Sequence, residues 1–172
     1  DKPTQAKMIF NTLLDSARLG VGHTYIYQLL DGWRDPKQND QEKHFGLFDV
    51  QYRPKPAARA IRNLLNLLED NGRPSATFSP TEIGYSFNGL PATAKSLQVQ
   101  KSDGQNFIIV WDEPEIWDQR SHHRIAHSPS PIVLALPEPQ KLINVYDPVA
   151  TQSAIATFRG ARNVELQLGD TP

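Results

Sequence analysis

No cysteine occurs among the 172 residues. That excludes disulfides and thiolate metal ligands and leaves the redox compartment open. Nor is there an apolar run approaching the roughly 18 residues of a membrane-spanning helix, so no membrane span is expected. The net charge is -1, which leaves no excess of basic residues to meet nucleic acid or an anionic membrane, and no nucleic-acid partner is expected. Internal repeats and low-complexity segments are also lacking. What is present is an ordinary soluble composition, 38% hydrophobic and 22% charged, in a length that allows one domain or two small ones.

The first half reads in helical period. Ala6, Ile9, Phe10, Leu13, Leu14 and Ala17 recur at three- and four-residue spacing and predict a helix over 3–19, with Pro3 in its first turn and Gly20 and Gly22 as stops. A second helix is predicted from Pro54 and Pro56 to about Asn71. Its buried stripe is Ala57, Ala58, Ile61, Leu64, Leu65 and Leu68, with Arg59, Arg62, Asn63, Asn66 and Glu69 outside. Asn71, Gly72 and the run Arg73-Pro74-Ser75 end it.

Between these helices lies the stretch on which the rest turns, His-Thr-Tyr-Ile-Tyr-Gln-Leu-Leu-Asp-Gly-Trp over 23–33. Residues 25–30 are apolar except for Gln28 and rich in aromatic and branched side chains, which predicts a strand covered on both faces, as in a parallel sheet. Asp31, Gly32 and Trp33 then open a polar loop that runs to Phe48, a length usual in functional or mobile loops. A carboxylate and an indole beside a glycine suit a sugar. They equally suit a strand end with an Asx turn and one packed Trp.

From Thr77 onward the period changes to two. Strands are predicted over 82–87, 96–100, 107–111, 132–135, 142–146, 154–158 and 164–168, with a hairpin turn at Lys101-Ser102-Asp103-Gly104. Short strands at this spacing describe an antiparallel β-sandwich. Alternation predicts Leu97, Val99, Ile109, Val133, Val145 and Leu166 between its sheets. The division of the chain falls between 1–73 and 74–172.

Three stretches taken in order carry a resemblance. Tyr25-Ile26-Tyr27-Gln28-Leu29-Leu30-Asp31, then His44-Phe45-Gly46-Leu47-Phe48-Asp49, then Pro54-Lys55-Pro56-Ala57-Ala58 resemble the eighth strand, eighth loop and final helix of clan-A glycoside hydrolases, such as the family 5 and family 39 groups. The likeness runs from Pro3 to about Leu68, and strands 96–100 and 107–111 resemble part of the β-sandwich that many of these enzymes carry. The resemblance implies an α/β plus all-β chain, the last β/α unit of a (β/α)8 TIM barrel followed by an antiparallel accessory sandwich. It implies the C-terminal portion of a retaining enzyme acting on a polysaccharide or oligosaccharide, secreted or periplasmic and bacterial. The retaining mechanism uses two carboxyl groups about 5–5.5 Å apart. By their place in the barrel both glutamates would lie before residue 1, so the partner would be the missing N-terminal segment and this chain alone would be inactive. Gln28, Asp31 and Trp33 are carried over as substrate-binding residues, and no cofactor is implied. The rival readings are a non-catalytic carbohydrate-binding or interaction module, and a partner subunit that completes a barrel in trans.

Four other features are weighed and set lower. Trp111-Asp112-Glu113-Pro114 resembles the Asn-Glu-Pro of the acid/base glutamate, but it follows the closing helix and puts Asp112 beside the acid, so it reads as a strand end. His123 and His127 have the spacing of a zinc pair, yet Ser128, Pro129 and Pro131 surround them without any helix pattern. Asp31, Asp35, Asp40 and Glu42 lack the glycine and terminal glutamate of a calcium loop. Trp117, among Glu115, Asp118 and Gln119, offers a further ring for sugar stacking.

Overall fold

The computed structural model describes residues 1–37, 39–72 and 77–169. Arg73, Pro74 and Ser75, expected to stop the second helix, and the expected division between 73 and 74 lie outside the described residues.

Helix α1 spans Lys2–Arg18. The Asp1 carboxylate accepts from the Thr4 N–H at 2.8 Å, which satisfies one of the free donors of the first turn. Gly20, at φ +75°, ends the helix. Ala6, Phe10 and Leu14, four residues apart, form the buried face. Helix α2 spans Pro56–Leu68, with a proline in its first turn, and packs on α1. Its buried residues are Ala57, Ala60 and Asn63. This corrects the expected stripe. Asn63, expected outside, is buried and donates to the Pro148 carbonyl at 2.8 Å, whereas Leu65 is 62% exposed. The alanine side lies inward because small side chains let the backbone approach its neighbours closely. The bulkier Ile61 and Leu65 instead line an apolar groove of about 250 Å³ with Leu47, Phe48 and Ala58.

Among the described residues nine strands follow: β1 Ser86–Asn88, β2 Ala94–Gln100, β3 Asn106–Asp112, β4 Trp117–Asp118, β5 His123–Arg124, β6 Ser130–Gln140, β7 Ile143–Tyr146, β8 Ala154–Phe158 and β9 Ala161–Leu168. All pairings among them are antiparallel: a three-stranded sheet in the order β1-β6-β9 and the pairs β2-β3, β4-β5 and β7-β8. The β2-β3 turn is where the sequence puts it. The Lys101 N–H donates to Gln105 O and the Gly104 N–H to Lys101 O, both at 2.9 Å, with Gly104 at φ +91°, a conformation that favours glycine.

Two apolar clusters hold these elements together. Phe10, Leu14, Ala60 and Trp111 form one, with Leu64, Leu97, Ile109 and Val149 against it. Leu134, Leu136 and Val164 form the other, with Phe87, Ile108, Val145 and Leu166 among those packed on it. Strand β3 serves both, Ile109 and Trp111 on one face and Ile108 on the other, as alternation requires. None of the six residues expected to be nearly inaccessible reaches that state. Leu97, Val99, Ile109, Val133, Val145 and Leu166 are all half-buried. On β6 the face is inverted: Ile132, Leu134 and Leu136 are buried, and Val133 lies on the opposite side.

The expected β/α unit of a barrel is not found. Residues 23–29 form no strand, and Tyr25, Tyr27 and Leu29 are 90%, 76% and 64% exposed. Among the described residues a single parallel bridge, Leu30 to Phe48, stands where the parallel pairing was expected. The described residues instead form a small structure of two helices and several small antiparallel sheets. The physical reason is that a parallel strand is stable when covered on both faces, and these residues supply no layer outside Tyr25, Tyr27 and Leu29. Among the described residues, no helix is long and apolar enough to cross a membrane.

Candidate functional site

The three stretches that carried the resemblance meet at one point. The Asp31 Oδ1 accepts from the Lys55 Nζ at 2.5 Å and from the Gly46 N–H at 3.0 Å. Both side chains of the pair are nearly inaccessible, Lys55 at 2% and Asp31 at 6%. A buried charge is tolerable only when paired and hydrogen-bonded, and Lys55 completes its shell by donating to the His44 carbonyl at 2.8 Å. Gln5 reaches across from α1 and donates to the same carbonyl and to that of Phe45, both at 3.1 Å. Backbone bonds finish the frame: Leu47 N to Gln28 O at 3.0 Å, Phe48 N to Leu29 O at 2.9 Å, Asp31 N to Phe48 O at 2.8 Å and Lys55 N to Leu47 O at 2.9 Å. Gly46 is buried, and a Cβ there would strike Asp31 N and the Leu30 carbonyl carbon. Glycine is required by the closeness of two backbones.

The loop between Asp31 and Gly46 folds over this frame. A 3₁₀ turn, Gln41–His44, begins at Asp40, whose carboxylate accepts from the Glu42 N–H at 3.2 Å. The Asp40 N–H donates to the Asp35 Oδ2 at 2.9 Å, and the His44 Nε2 lies 3.2 Å from that oxygen. The Asp40 N–H first, and then His44, hold the Asp35 carboxyl below the usual carboxylate range against the opposing effect of burial. On its other side the His44 Nδ1 stands 4.0 Å from the Asp31 Oδ2.

The three sequence-chosen residues thus share one backbone segment and face different ways. The Asp31 carboxylate points inward, so a sugar hydroxyl reaching Oδ1 would have to displace Lys55 or Gly46. Gln28 is half-buried, and its side-chain amide has no partner among the described residues. Trp33 is 78% exposed. Around them Tyr27 meets Phe45 edge-on, with ring centroids 6.2 Å apart, and Tyr25 stacks on His23. What residue-by-residue reading missed is the roles of Lys55, Gly46 and Gln5. The signal for two of them was present, since Lys55 stands between two prolines and Gly46 inside the apolar return.

The features set lower take structural places. The Glu113 Oε1 accepts from the Trp111 indole N–H at 3.0 Å, and the Glu113 Oε2 pairs with Lys95. Lys95 also holds the Asp15 Oδ2 at 2.9 Å, which ties α1 to the hairpin. The Thr93 hydroxyl donates to the buried Asp112 at 2.6 Å. His122 and His123 are exposed, and Trp117 is half-buried in β4. A polar cleft of about 500 Å³ lies between His122 and the run Asn39, Asp40, Gln41 and Glu42. Among the described residues no group of three or more His, Asp or Glu side chains is placed to hold a metal ion. No protein-family model matches this sequence, and no curated protein matches it.

Proposed function

We propose that this chain serves a retaining glycoside hydrolase as a carbohydrate-engaging portion, with the two catalytic glutamates supplied from outside these residues. The observation that supports the reading is the convergence of the three resembling stretches on the Asp31–Lys55 pair. Residues separated by up to 24 positions build one frame, and that frame fixes the segment bearing Gln28 and Trp33. Trp33 then offers an apolar ring face to the C–H face of a pyranose and an indole N–H to a hydroxyl. The Gln28 amide supplies a donor and an acceptor. Asp31 keeps both in place from beneath.

The exposure of Tyr25, Tyr27 and Trp33 favours a second reading, a module that binds carbohydrate without chemistry. One experiment addresses both: titrate the chain with a panel of soluble oligosaccharides by calorimetry and assay the same panel for hydrolysis. Binding without hydrolysis is expected, and Trp33→Ala should weaken it about tenfold, the equivalent of about 1.4 kcal/mol. An absence of binding across the panel, or binding indifferent to Trp33→Ala, refutes the sugar-facing role of this segment. Hydrolysis abolished by Glu113→Gln would place the chemistry within this chain and overturn the assignment of the glutamates.

A further inference from the structure

Helix α2 turns Ile61, Arg62, Leu65 and Asn66 toward a groove whose other wall is Leu47 and Phe48. The helix carries Arg59 and Arg62 and holds no acid. Among the described residues Arg62 makes no hydrogen bond or ion pair, and Arg59 donates to the Pro54 carbonyl at 2.8 Å, which leaves its charge unbalanced. The acid on the turn before the helix, Asp49, is already paired with Arg53. That turn also carries Tyr52, at φ 61° and 75% exposed. A bulky side chain in this region of backbone space is strained. Asp49 maintains the strain, since its Oδ1 accepts from the Gln51 N–H at 2.9 Å and from the Arg53 N–H at 3.0 Å. The effect is to hold an aromatic ring in solvent next to the Phe48 wall. Tyr and Arg are the side chains in which the energy of protein interfaces concentrates.

We propose that the groove between α2 and Leu47–Phe48 seats an amphipathic helix of another protein, one that carries carboxylates beside its apolar stripe. The wall backbone is already bonded: the Leu47 and Phe48 N–H groups donate to Gln28 O and Leu29 O, and their carbonyls accept from the Lys55 and Asp31 N–H groups. An incoming strand would find no open edge there. Only side chains can enter, and a helix delivers them at i, i+4 and i+7. The lining is too poor in polar groups for a sugar, so this surface goes beyond the carbohydrate reading. The uncompensated arginines select acids on the partner, because complementary charge steers and orients docking. A second copy would bring the same arginines against each other about a twofold axis. Lipid-binding segments gather about 4–8 basic residues, whereas α2 offers two on a concave face.

Panning the full chain against a displayed library of randomised helical peptides tests this. Selected peptides should carry aliphatic or aromatic residues at i, i+4 and i+7 with Asp or Glu beside them. The best peptide is then synthesised and titrated by fluorescence anisotropy. Arg62→Glu and Leu65→Asp should each weaken it at least tenfold, and a peptide with Lys in place of its acids should recover the loss in Arg62→Glu. Tyr52→Gly should weaken it without lowering the melting temperature, because glycine adopts this φ without strain. If Leu65→Asp does not fold, Arg62→Glu and the charge-reversed peptide decide. No enrichment overturns the proposal, as do selected peptides without acids or binding indifferent to these substitutions. Phosphatidylserine vesicles that displace the peptide and lose their hold on Arg62→Glu would make a membrane the occupant. A dimer in sedimentation equilibrium that Leu65→Asp disperses would make it a second copy. Either result overturns the proposal.

Discussion

The Asp31–Lys55 pair shows how far one residue's chemistry can be inferred from its neighbours in sequence. A carboxylate at the end of an apolar run, next to glycine and tryptophan, is as well suited to a sugar hydroxyl as to a cation. What decides its direction is the partner 24 positions on, and pair spacing in sequence does not reveal that. Removing one member of a buried pair leaves the other charge uncompensated, at a cost of about 3–5 kcal/mol. Asp31→Ala and Lys55→Met should each destabilise the chain by roughly that amount in urea unfolding. The double variant Asp31→Leu/Lys55→Met should cost less than the sum, because no lone charge remains. If Asp31→Ala leaves the unfolding midpoint unchanged, the carboxylate is not holding the frame. Gly46→Ala should also destabilise, since its Cβ would meet backbone atoms of Asp31 and Leu30, which cannot swing aside as a flexible side chain does.

At the scale of elements, the existence of both helices and the buried side of α1 were legible, and the buried side of α2 and the strand faces were not. The residues of α1 announce their buried side because a helix samples the environment every three to four residues, and Ala6, Phe10 and Leu14 are repeated witnesses. Helix α2 is apolar on two sides, so pattern alone could not choose between Ala57–Ala60 and Ile61–Leu65. A strand offers two faces only, and where both carry apolar side chains, as in Ile132-Val133-Leu134-Ala135-Leu136, parity stays open. The β2-β3 hairpin was legible because its glycine turn fixes the register. That hairpin is also locked to the end of α2: Asp70 accepts from the Ser102 hydroxyl and from the Ser102 N–H, each at 2.7 Å. These two bonds, the hydroxyl first, pull the Asp70 pKa below the ordinary 3.8. A depressed carboxyl stabilises above its unfolded pKa and loses that contribution as pH falls through the folded pKa. The wild-type chain should therefore lose more stability between pH 6 and pH 3 than Asp70→Asn does, compared by thermal melts at both pH values. Equal losses would mean that the lock contributes nothing to the acid limb.

For the whole molecule the question is whether residues 1–72 and 77–169 unfold together. The change from helical to strand period near residue 73 predicts a division there, and sequence cannot report packing across it. Specific side-chain contacts cross that line. Phe10, Leu14 and Ala60 from the helices close on Trp111 from β3. Asn63 bonds Pro148, Asn11 bonds Asp112 at 3.4 Å, and Lys95 links Asp15 to Glu113. On its far face β3 sets Ile108 on the Leu134–Val164 cluster, so the hairpin stands between the helices and the three-stranded sheet. A cooperative unit requires such shared burial, because neither side alone covers its apolar face. Trp111 is the largest side chain in the shared cluster and is only 4% exposed. Trp111→Ala should cost about 3–5 kcal/mol, the size usual for truncating a buried aromatic. It should lower the midpoint for helix and strand signals alike. In the parent chain, far-UV dichroism and the tryptophan fluorescence that Trp111 contributes should trace the same urea transition. Two separated transitions, with Trp111→Ala moving only one, would show that the helical portion and the strands fold independently and that the seam is a docking contact between them.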